Sequence, residues 1–159
     1  MPRPLKPDLN SLLLNCILMC SLSVPLGSCR DRSGVAEQRA LKVEWAGHSL
    51  REVTSLRELP PAVQSTLGVG IPGLDGIANR GESYNPTDVV DSRLPMRRFV
   101  VAGLDADTAL VAVEHGGFGW RVEVTAFADI QRKPIPEREW TLFETPTSLR
   151  DLAGRLGTK

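Results

Sequence analysis

Arg97-Arg98-Phe99-Val100-Val101-Ala102-Gly103, Thr108-Ala109-Leu110-Val111-Ala112-Val113-Glu114-His115 and Trp120-Arg121-Val122-Glu123-Val124-Thr125-Ala126-Phe127 decide the fold. All three runs are rich in Val and aromatic residues. They are parted only by Leu104-Asp105-Ala106-Asp107 and Gly116-Gly117-Phe118-Gly119, both of hairpin length, which predicts three consecutive antiparallel strands. The third run alternates cleanly, with Trp120, Val122, Val124 and Ala126 set against Arg121, Glu123 and Thr125, so one of its faces should be wet. The first two runs are apolar on both faces and read as interior or helix-covered strands.

Working outward, Leu41, Val43 and Trp45 alternate with Lys42 and Glu44 and predict a half-buried strand. Ser55 stands three residues before Glu58 at capping-box spacing, Pro61 suits a first helical turn, and Leu59, Val63 and Leu67 fall four apart before Gly68. This predicts a short helix over Pro61 to Leu67. Gly68 to Pro95 is broken by glycine and proline throughout and reads as one long loop, the first place to seek a binding surface. Trp140, Leu142 and Phe143 suggest an edge strand over Glu139 to Glu144, which Pro134 and Pro136 should stop from extending backwards. Ser148, with Leu149, Leu152, Ala153 and Leu156 behind it, predicts a capped amphipathic helix that Gly157 ends. The sum is an α+β domain over residues 39–159, a small antiparallel sheet of three to five strands with two short helices, covered on one face.

Ahead of the domain, Arg3 and Lys6 precede the uncharged stretch Ser11 to Val24, which carries Leu12, Leu13, Leu14, Ile17, Leu18, Leu22 and Val24. Charged residues followed by a short apolar run form the order of a signal peptide, expected here over residues 1–28, and the run is too short for a comfortable membrane span. Leu26-Gly27-Ser28-Cys29 follows. These four residues resemble the lipobox of bacterial lipoproteins. The resemblance implies that Cys29 takes a lipid and becomes the new N-terminus, and that Arg30, in place of an aspartate, directs the protein to the outer membrane. Arg30 to Gln38 is polar, and residues 29–38 read as a flexible tether. Cleavage at an ordinary small-residue site with plain secretion is the rival. Cys16, Cys20 and Cys29 are the only cysteines, so once the leader is gone no disulfide within one chain is left to form.

Lys plus Arg and Asp plus Glu both number 19, and a chain so balanced, without a sustained basic stretch, is not built for nucleic acid. Gly68-Val69-Gly70-Ile71-Pro72-Gly73 fits the glycine pattern of a pyrophosphate cradle, but it follows a helix and not a strand, so a plain glycine loop is expected and no cofactor. Ligand spacing for zinc is missing, and Asp105-Ala106-Asp107 reads as an aspartate-stabilised turn in preference to a calcium loop.

Tyr84, Asn85, Asp88, Asp91, Arg93, Arg97 and Arg98 form the densest polar cluster. Guanidinium forks and carboxylates there either recognise a ligand or pin the long loop to the sheet, and the second is the commoner use. Tyr84, Asn85, Asp88, Arg93, His115 and Phe118 are the candidate binding residues. The function they suggest is a binding or structural module in a cell envelope, held to the membrane by its lipid and meeting a protein partner there. A small hydrolase-like enzyme would instead need His115 to converge with Glu114 or Asp88 in one pocket. An inhibitor or immunity-type protein would need an exposed apolar patch near Phe118 and the long loop.

Overall fold

The computed structural model describes residues 42–157. The expected signal peptide, Cys29 and the tether lie outside the described residues. Among those described, no helix is long and apolar enough to cross a membrane.

The chain forms one mostly antiparallel sheet with a helix on each face: β1 (Lys42–Trp45), β2 (His48–Val53), α1 (Pro61–Leu67), β3 (Ile77–Ala78), β4 (Arg97–Leu104), β5 (Ala109–His115), β6 (Arg121–Ala128), β7 (Ile135–Leu142) and α2 (Leu149–Leu156). Spatial order is β1-β2-β4-β5-β6-β7, while β3 runs parallel to the start of β4. β2 pairs with the end of β4 and β3 with its beginning, so two strands share one edge of the central strand.

The α+β class with two helices stands. The expected count of three to five strands does not, because the sheet has seven. β2 went unread because its apolar residues, Leu50 and Val53, are three apart and flanked by Arg51 and Glu52, which hides the period of two. Ala46 and Gly47, both at positive φ, make the two-residue turn that folds β2 back on β1. β7 also reaches further back than expected and contains Pro136. Proline is tolerated there because β7 is an edge strand with a register shift beside it, so the missing amide leaves no ladder bond broken.

Nor is the sheet covered on one face only. Alternation along β5 sends Leu110 and Ala112 to the α2 side and Ala109, Val111 and Val113 to the α1 side. On the first side Leu50, Val101, Val122, Val124, Leu149 and Leu152 form a core. On the second, Phe99, Val63, Leu67, Phe127 and Ile130 form another. Each of these fully buried side chains contributes about 1.5–3 kcal/mol relative to exposure. Ordinary alternation puts Ala126 and Phe127 of β6 in opposite cores, and the register shift beside them leaves Glu137 of β7 as the extra residue of a bulge.

Both helices are held as their sequences foretold, with one exception. Ser148 Oγ accepts from the Asp151 amide at 3.2 Å, and Glu52 on β2 accepts from the Leu149 amide at 3.0 Å, so a strand carboxylate helps cap α2. Gly103 lets the helix approach, since a Cβ there would press to 2.7 Å on Leu149. Gly68 ends α1 in the left-handed conformation. Ser55, however, caps a separate 3-10 turn over Leu56–Glu58 and not α1 itself.

The two edge strands approach one another across the α2 face. Trp45 of β1 and Trp140 of β7 meet edge to face, with ring centroids 5.7 Å apart. The sheet is therefore bent into a trough around its α2-side core.

Candidate functional site

The long loop is not a loose strap. Asn85, only 3% exposed, donates through Nδ2 to the Asp91 and Leu94 carbonyls at 2.9 and 2.8 Å and accepts at Oδ1 from the Asp91 amide at 2.8 Å. Its own amide donates to the Pro95 carbonyl at 2.8 Å. One buried asparagine thus satisfies the backbone of a turn that no regular ladder serves, which is why a stretch so rich in breakers still has one shape.

Behind it stands an ion pair whose carboxylate is buried and whose guanidinium is half-buried. Glu114, on the α2 side of β5, accepts from Arg98 Nε at 2.8 Å and from the Thr145 hydroxyl at 2.5 Å. The Arg98 guanidinium lies over the Tyr84 ring, 4.3 Å from its centroid, and the Trp120 indole donates to the Tyr84 hydroxyl at 3.3 Å. Burial pushes the Tyr84 phenol above its usual range. Tyr84, Arg98, Glu114, Trp120 and Thr145 form one network joining the long loop, β4, β5, the β5–β6 turn and the segment before α2.

The polar cluster read from the sequence therefore separates into parts. Tyr84 and Asn85 are buried and pin the loop. Arg93 pairs with Asp91 at 2.7 Å, and that guanidinium holds the Asp91 carboxyl down at about 2. Arg97 donates to the Asp75 carbonyl at 2.5 Å. Asp88 stays exposed and shares a shallow cleft with Pro86, Thr87 and Phe118.

His115 and Glu114 do not converge. Neighbours on a strand face opposite ways, and His115 lies on the α1 side with its Nε2 2.9 Å from a Glu123 carboxylate oxygen, while Glu114 turns to Arg98. His115 lines a groove of about 210 Å³ with Arg97, Glu123 and Glu139, away from Asp88. Among the described residues no group of three or more His, Cys, Asp or Glu is placed to hold a metal ion.

Burial draws the His115 imidazole below its ordinary value of 6.5, against the pull of Glu123 and with help from Arg121 and Arg97. The folded chain then binds fewer protons there than the unfolded chain as pH falls through 6.5. His115 should cost no stability above that value and progressively more below it, until the folded site is itself protonated. Urea melts between pH 7.5 and 5 should show the fall, and His115→Gln should flatten the part that His115 causes.

Phe118 differs from every residue above. It is 93% exposed at the tip of the β5–β6 hairpin, between Gly117 and Gly119, both at positive φ. Val89, 81% exposed, stands on the same loop as the Pro86-Thr87-Asp88 wall that Phe118 faces. The tip is firmly based, since the Gly116 amide donates to the Met96 carbonyl at 2.8 Å and Gly116 packs on the Asn85 backbone. Sequence reasoning named Phe118 but not Val89, whose only signal was an apolar pair, Val89-Val90, inside a polar loop.

Comparison of the chain with protein-family models, with curated proteins and with solved structures finds no match.

Proposed function

We propose that this is an exported envelope protein, anchored through a lipid on Cys29 to the outer membrane and facing the periplasm, that binds a protein partner with the tip formed by Phe118 and the neighbouring loop. The observation that carries the binding reading is the exposure of Phe118 on a rigid base. A phenylalanine held out in water gains nothing for the fold, whereas a prepositioned aromatic is a good anchor for a partner's pocket because little order remains to be imposed on binding. The anchoring half rests on the leader pattern and on Leu26-Gly27-Ser28-Cys29. The inhibitor or immunity-type protein is the form of this reading that the exposed tip favours. A hydrolase has less support, since Glu114 and His115 occupy opposite faces and are each engaged elsewhere.

Two measurements test it. Intact mass of the native protein should show a diacylated chain starting at Cys29; an unmodified chain cut at the same place would mean plain secretion, and a chain retaining Met1 would end the export reading. A photo-crosslinking residue at position 118 should give a discrete protein adduct in the cell of origin, while one at the exposed Lys133 should not. Phe118→Ser should leave stability within about 0.5 kcal/mol of the parent. Equal adducts at both positions would end the binding reading.

A further inference from the structure

Phe118 is not the only apolar group left in water at its end of the molecule. Of the seven large apolar side chains exposed among the described residues, five, Ile71, Leu74, Val89, Val90 and Phe118, come from three loops at the end of the sheet where β4 begins and β5 ends. Close approaches tie these loops together. The Leu74 carbonyl accepts from the Met96 amide at 3.2 Å, a Cβ on Gly73 would lie 3.0 Å from the Ser92 carbonyl oxygen, and one on Gly117 would lie 2.8 Å from the Met96 methyl. Apolar groups gathered in this way mark a contact with another macromolecule.

The face carries both halves of such a contact. Phe118 is a knob, and beside it lies a hole: a cleft of about 320 Å³ between the hairpin tip and the Pro86-Thr87-Asp88 wall, which Gly117 and Gly119 have no side chains to fill. A second aromatic ring fits between Phe118 and Pro86, stacked on the first. The charges are paired off in the same manner. Asp88, at the cleft, forms no ion pair with a described residue, and Arg93, on the same loop with its side chain 86% exposed, pairs with Asp91 alone.

We propose that the partner at this tip is a second copy of the chain, joined to the first about a two-fold axis. Each Phe118 enters the other copy's cleft, so that the two rings stack at the axis with a Pro86 outside each, and each Asp88 meets the other copy's Arg93. A two-fold contact uses one patch on both sides, so the patch must hold knob and hole, acid and base together, as this one does. A bilayer of acidic lipid, by contrast, offers Asp88 no cation. The inference rests on the reading of the tip as a protein-binding site and names its occupant. The contact is small, at the low end of specific interfaces, so the copies exchange and do not form a permanent dimer.

Benzoylphenylalanine at position 118 keeps an aromatic ring at the tip. Irradiated in the cell of origin, it should give an adduct of twice the chain's mass whose cross-linked peptide contains Pro86 to Asp88. Asp88→Arg and Arg93→Asp should each lower that adduct about tenfold, and the double variant, which exchanges the two charges, should bring it back. Both side chains are exposed, so all three variants should melt close to the parent. An adduct with a different protein or with lipid would overturn the second copy, the former leaving the tip a protein-binding site. No adduct at all would end both readings. A doubled mass that ignores the single charge changes, or that the double variant fails to restore, would mean that the copies meet in another way and would also overturn the proposal.

Discussion

Replacing Gly116 with alanine is expected to destabilise the domain by about 3 kcal/mol or more, the upper end of what overpacking costs. The reason is not backbone freedom, for Gly116 has an ordinary φ, but space: a Cβ there would sit far inside van der Waals contact of the Asn85 carbonyl oxygen and within 2.9 Å of Pro86 Cα. Both obstacles are backbone, so no side-chain rotation relieves them. Either the β5–β6 hairpin or the whole turn from Asn85 to Pro95 must shift, and the second movement breaks the hydrogen bonds of Asn85. Against a total stability of about 5–15 kcal/mol, the loss should be plain in a urea melt. Gly119→Ala is the control: a Cβ there meets nothing within 4 Å, though φ is positive, so only backbone strain remains. Equal small losses for both would show that the approach of Gly116 to Asn85 is not kept in solution.

Arg98→Met is expected to cost about 3 kcal/mol, by stranding a charge. The Glu114 side chain is 4% exposed, and without Arg98 its carboxylate loses its one cationic partner and keeps neutral hydroxyls such as that of Thr145. Removing one partner of a buried pair is far costlier than replacing both, since the survivor remains desolvated. The double variant Arg98→Met/Glu114→Leu should therefore recover much of the loss, and a double-mutant cycle on urea melts should give a coupling of at least about 1 kcal/mol. Additive effects would show that the pair is not coupled. Arg98→Met also removes the cation from the Tyr84 ring, so a loosened long loop should accompany the loss of stability.

Both predictions concern the base on which Phe118 stands. Two backbone-level fixtures, Asn85 and Gly116, and one charged pair convert a glycine-rich segment into a support. A tip on such a base binds with little ordering cost, whereas a tip on a slack loop loses part of its binding energy to immobilisation.

The chain's own letters determined what depends on neighbours a few residues away. The strands β4, β5 and β6, the helix over Pro61–Leu67, the Ser148 cap and the Asp105 turn were all legible, because hydrophobic period, capping groups and turn residues act locally. Tertiary structure alone decided the rest. β2 shows no alternation and exists because β1 and β4 offer it ladders on both sides. β7 crosses a proline because it lies at an edge. Whether Tyr84 and Asn85 recognise a ligand or pin the loop was open in the sequence, and the fold buries both, since a polar side chain's partners are set by which distant backbone comes to rest against it. The contact of Trp45 with Trp140 belongs to the same class, for it is formed by residues from opposite edges of one bent sheet, and no spacing along the chain records that meeting.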